Sequence, residues 1–160
     1  MRDKNKTSNF KKLKDLHEQE KFAHKQQIQD KVNEISKDPI GTQTRYMDAK
    51  KLKWYDYLIV LILSFALIGL SFILGIFALK SIEKTEWIIT AFALISLLAF
   101  LITNWIKNRK VANYYNDITR RYQTTLSEDE GFIRRLSKII LLICLVLSIT
   151  SIILAITLWV

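Results

Sequence analysis

Apolar and polar positions segregate along this chain into long blocks rather than alternating. Three runs, Tyr57–Leu79, Trp87–Ile106 and Ile139–Val160, contain no Asp, Glu, Lys, Arg or His. Each is 20 to 23 residues long, and together they take up 65 of the 160 residues. At about 1.5 Å per helical residue, such a run crosses the roughly 30 Å hydrocarbon core of a bilayer. The pattern predicts an all-α membrane protein with three transmembrane helices, 57–79, 87–106 and 139–160. N-terminal and juxtamembrane cytoplasmic helices accompany them.

The polar blocks carry weaker periodicities. Residues 8–37 lack Gly and Pro and are rich in Lys, Gln and Glu, which favours helix. Asp38-Pro39 ends that helix, because the residue before a proline is pushed out of the helical region. The apolar positions Phe10, Leu13, Leu16, Phe22, Ile28, Val32 and Ile35 keep no single heptad register, which argues against a coiled coil. A loop is expected at 39–47, then a helix capped by Asp48 that runs into the first span. The stripe Val111, Tyr115, Ile118, Tyr122 and Thr125 predicts that the second span continues as helix over 108–126. Ser127-Glu128-Asp129-Glu130 has the Ser-x-x-Glu form of a capping box opening the third helix. Residues 107–138 thus read as a basic helical hairpin with a tight turn near Leu126–Ser127.

Charge orients these elements. The net charge of +9 is concentrated in two blocks: residues 1–56 hold 14 Lys/Arg against 9 Asp/Glu, and residues 107–138 hold 8 against 4. The short segment 80–86 holds two of each. Lys/Arg-rich flanks belong on the cytoplasmic side. This predicts the N-terminal region 1–56 and the 107–138 hairpin inside, the 80–86 turn outside, and Val160 outside at a multi-pass cell membrane. With a polar first block no cleavable leader is expected, and the first span is expected to act as a signal-anchor. Trp54, Tyr57, Trp87, Trp105 and Trp159 flank the runs and are the expected interface anchors. The counter-charge expected for the basic blocks is anionic lipid headgroups rather than nucleic acid, since no nucleic-acid motif accompanies the charge.

Candidate chemistry is sparse. His17 and His24 are two helical turns apart, too far for one metal ion, and the lone Cys144 offers neither a disulfide nor a thiolate site. Glu18, Glu20, Glu128, Asp129 and Glu130 stand in charged, solvent-facing contexts without an apolar pocket to perturb them. No phosphate-binding loop, nucleophile elbow or zincin pattern occurs. The expectation is a non-enzyme with no cofactor, no metal and no catalytic residue. The spans do carry stripes of small residues suited to close helix packing: Ser64, Ser71, Gly75 and Ala78 in the first, Ala93 and Ser96 in the second. Cys144, Ser148, Ser151 and Ala155 form the stripe of the third. Two uses stay open for these faces: packing within one chain, or a homo-oligomer whose hydroxyl-bearing faces line an opening.

Thr44-Arg45-Tyr46-Met47-Asp48-Ala49-Lys50-Lys51-Leu52-Lys53-Trp54 leads into the first span, and Ala112, Tyr115 and Tyr122 follow the second. Over residues 42–126 this order resembles the SLATT-type family of small bacterial membrane proteins, which have two membrane helices flanked by cytosolic helices. The third span and the N-terminal helix depart from that pattern. The resemblance implies a pore-forming or membrane-disrupting effector of a defence system. The residues themselves point first to a protein that assembles in the membrane and presents cytoplasmic helices, 8–37 and 108–126, to a protein partner.

Overall fold

The computed structural model describes residues 4–78, 80–81 and 83–159, with side chains from residue 12 onward except at 78, 83, 158 and 159. Within these residues the chain forms five α-helices: α1 (Lys4–Lys37), α2 (Pro39–Lys50), α3 (Trp54–Ile73), α4 (Glu83–Tyr115) and α5 (Glu128–Trp159). A π-helical turn, Leu74–Ala78, extends α3, and a 3₁₀ turn, Ile118–Arg120, lies between α4 and α5. Residues 1–43 and 44–160 form two separate compact units.

In the first unit α1 is a single 34-residue helix. Leu13, Leu16 and Phe22 are more than half exposed, and among the described side chains of α1 none is buried. Pro39 breaks the chain where expected, but the following residues are helix rather than the loop expected at 39–47. Proline suits the first position of a helix, having no N–H to leave unsatisfied. Asp38 caps the new helix, its carboxylate accepting from the Gly41 amide at 2.9 Å.

The second unit is built on three helices long and apolar enough to cross a membrane, the composition of a multi-pass membrane protein. Its interior is Val60 of α3, Ile89 and Ala93 of α4, and Ile143 and Leu147 of α5. Around these pack Leu67, Ile68, Phe92, Ile139, Leu142 and Leu154. The outward faces carry exposed Leu, Ile and Phe, including Phe65, Leu98 and Ile153, as a bilayer-solvated surface requires. Hydroxyls on these helices bond back to their own backbone: Ser71 to the Leu67 carbonyl, Thr103 to Ala99, Ser148 to Cys144 and Thr150 to Val146, each at 2.7 to 2.8 Å.

Four further boundaries differ from the sequence expectations. Asp48 does not cap the first span. The chain breaks at 51–53 and α3 starts afresh at Trp54, where the Asp56 carboxylate accepts from the Lys53 amide at 2.7 Å. Asp48 instead pairs with Lys51 on the surface at 3.7 Å. The 80–86 turn is shorter than expected, since α4 already begins at Glu83. At its other end α4 stops at Tyr115, so 108–126 is not one helix. Asn116 takes a left-handed conformation (φ 50°), which short polar side chains tolerate, and the Asp117 amide returns to the Ala112 carbonyl. The capping box forms by half. The Glu130 amide donates to Ser127 Oγ at 3.3 Å, while the Glu130 side chain is committed elsewhere.

Candidate functional site

The ends of α2 and α4 and the beginnings of α3 and α5 meet at the basic end of the second unit, and the buried charges of the described residues gather there. α5 enters this junction with Arg135 facing α3. Its guanidinium forks onto Asp56, Nε to Oδ2 at 2.7 Å and Nη2 to Oδ1 at 2.5 Å. Asp56 is 1% exposed and Arg135 8%. The Arg135 guanidinium also lies 4.8 Å from the centre of the Tyr55 ring. A paired fork with the aspartate's further lone pair on the Lys53 amide satisfies the charge-compensation rule for buried ions.

Glu130, one turn earlier on α5, is 4% exposed and not the solvent-facing group expected from its acidic neighbours. Its Oε2 accepts from the Thr125 amide at 2.7 Å and hydroxyl at 2.9 Å, and from the Thr124 hydroxyl at 3.2 Å. Its Oε1 pairs with Arg134 at 2.7 Å. The carboxylate thus ties the connecting segment onto the start of α5. Tyr115 Oη donates to the Thr124 carbonyl at 2.7 Å, fixing the same segment to the end of α4. Val111 and Thr125 are buried here too, so Val111 and Tyr115 of α4 meet Thr125 of the connecting segment, while Ile118 and Tyr122 of the same stripe are exposed. On the segment between, the hydroxyl and amide of Thr119 hold the Asp117 carboxyl below the usual carboxylate range.

The end of α2 seats on α5 at Gly131. A Cβ there would come within 2.8 Å of Ala49 Cβ and 2.9 Å of the Tyr46 carbonyl oxygen, so only glycine permits this approach. Tyr46 is buried, and the Lys138 ammonium caps the end of α2 by donating to the Lys50 carbonyl at 3.3 Å. The Ser137 hydroxyl donates to Asn104 Oδ1 at 3.2 Å, joining α5 to α4.

The small-residue stripes divide. Ser64, Ser71, Gly75, Ala93 and Cys144 are buried between helices of the same chain. The Cys144 thiol donates to the Ala93 carbonyl at 3.5 Å, and a Cβ at Gly75 would collide with Thr85 Oγ1. Ser96, Ser148, Ser151 and Ala155 are half-buried. Ser148 and Ser151 line an open cleft between α4 and α5, with Thr90, Ala93 and Leu94 opposite. The Ser151 and Thr90 hydroxyls share a hydrogen bond of 2.7 Å across it. Trp54, Tyr57, Trp87 and Trp105 are 57 to 74% exposed. The side chains of Ala78 and Trp159 lie outside the described residues. His17 is exposed beside Glu20, and among the described residues no three His, Cys, Asp or Glu come together as a metal site.

The carboxylates of the junction are saturated with donors, so its chemistry is that of a clamp. The sequence reading passed over Asp56 and Arg135. Their signal was positional: one acid and one base, each within four residues of the start of an apolar run. No known family model matches this chain, and no curated protein or solved structure is found similar to it.

Proposed function

We propose that this chain is a small, non-enzymatic integral membrane protein of a bacterial cell membrane that assembles in the bilayer and presents its cytoplasmic helices to a protein partner. The observation that carries this reading is the clamp at the basic end. Asp56–Arg135 ties α3 to α5, Glu130 ties the Thr124–Thr125 segment to α5, and the Gly131 seat holds the end of α2 on α5. A rigid base suits a platform that holds partner-binding segments at a fixed place on the membrane. The excess of Lys/Arg around it favours the cytoplasmic side, with anionic headgroups as local counter-charge. In this orientation the N-terminus is inside and residue 160 outside.

The second reading is an oligomerising pore-forming effector of the kind the SLATT resemblance implies. It is favoured by the half-buried Ser148 and Ser151, whose hydroxyls bond within the chain but whose small side chains leave the cleft open to close approach by a helix of a neighbouring copy.

Induced expression with a membrane-potential dye separates the two. Normal polarisation and a co-purifying protein that is lost on deleting residues 1–40 support the platform. Rapid depolarisation abolished by Ser148→Leu supports the effector and overturns the platform.

A further inference from the structure

Lys107 and Lys110 lie almost one turn apart on α4 and line a cleft of about 130 Å³. Its other wall is the start of α5, with Thr125, Ser127 and Glu130. Among the described residues neither lysine makes a hydrogen bond or an ion pair, although Lys107 is half-buried. Glu130 offers them little, because both its oxygens are engaged by Arg134 and the Thr124–Thr125 donors. Burial, with the Arg134 guanidinium nearby, holds the Lys107 ammonium below the usual lysine range. A half-buried ammonium without a counter-ion is costly, and an anion brought into the cleft removes the cost. Lys107 directly follows the last residue of the apolar run 87–106, next to exposed Trp105. If that run spans the bilayer, the cleft opens at the depth of the headgroups.

We infer that this cleft binds a phosphate group, with Lys107 and Lys110 donating to its oxygens, and that the phosphate is that of a lipid headgroup. This rests on the reading of α4 as a membrane span, but not on which side of the membrane the basic end faces or on any protein partner. Asp129, exposed on the rim, makes no hydrogen bond or ion pair among the described residues and opposes the anion. Removing the lysines and removing the aspartate therefore act in opposite directions.

The test uses the full chain extracted in detergent and mixed with phosphatidylglycerol, with bound lipid counted by native mass spectrometry. Loss of one charge-assisted hydrogen bond corresponds to about a tenfold fall in affinity. Lys107→Gln with Lys110→Gln should lose at least that, Lys107→Arg should retain binding, and Asp129→Asn should strengthen it. Lys84→Gln, at the other end of α4, should change nothing. Excess inorganic phosphate that leaves the bound lipid in place supports the headgroup assignment. Displacement by inorganic phosphate assigns the site to the free ion and overturns the lipid. Equal lipid retention by the double variant and the parent overturns the site. Orientation plays no part in this detergent measurement, so a wrong topology shows only in side-specific labelling of the intact membrane.

Discussion

At the scale of single residues, two kinds of buried polar group carry opposite expectations. Asp56 and Arg135 are fully paired, so removing one partner strands a buried charge, at a cost of about 3–5 kcal/mol. Asp56→Asn or Arg135→Gln alone should each lower the thermal unfolding midpoint in detergent markedly. The double variant should lose less than the sum of the two, and strict additivity in that cycle would show that the pair is not coupled. Ser64 Oγ and Thr85 Oγ1 are buried with no hydrogen-bond partner among the described residues. Their hydroxyls are desolvated without return, so Ser64→Ala and Thr85→Val should leave the midpoint unchanged or raise it. A clear loss of stability in either would mean that the hydroxyl is bonded in the folded protein, for example to an internal water.

At the scale of elements, the seat of α2 on α5 depends on one missing methyl. Gly131→Ala forces Ala49 and the Tyr46 carbonyl away, an overpacking cost of about 1–3 kcal/mol. Limited proteolysis should then cut the break at 51–53 faster than in the parent, with cleavage elsewhere unaffected. The same region marks where the sequence was and was not legible. The uncharged runs 57–79, 87–106 and 139–160 announced the three long helices, because in lipid the backbone leaves almost no alternative to a helix at that length. Pro39 announced a break but not its outcome. A proline ends one helix and opens the next equally well, and here the Asp38 cap at the start of α2 and the Gly131 seat at its end go with the second. The stripe 111–125 marked Val111, Tyr115 and Thr125, which converge, but also Ile118 and Tyr122, which are exposed, because Asn116 turns the chain between them. Glu130 looked solvated beside Glu128 and Asp129. Its partners Thr124 and Thr125 come from a turn whose path no local pattern encodes.

At the scale of the whole molecule, the three apolar helices pack around one interior, and the first span's described stripe is consumed within the chain. Ser148 and Ser151 are the half-buried small residues on the open cleft between α4 and α5. Ser148→Leu with Ser151→Leu should weaken cross-linking between copies if chains associate through this cleft. Unchanged cross-linking would move any contact between copies elsewhere. Single cysteines at residues 83 and 160, in a Cys144→Ala background, test the orientation. Labelling from outside in intact cells is expected at both, and labelling only after the inner face is opened would reverse it.

The Asp56–Arg135 clamp also sets a timetable. Its two halves are 79 residues apart in the chain, so during synthesis the carboxylate at the head of the first span waits for its counter-ion until the third helix emerges. In that interval Asp56 lacks the Arg135 guanidinium that pairs with it in the folded chain. Chains truncated after residue 126 should therefore be cleared by membrane proteases faster than the full chain in a pulse-chase. Asp56→Asn should lengthen the lifetime of the truncated form while shortening that of the complete one. Stability of the first apolar helix in the membrane would then depend on the arrival of α5.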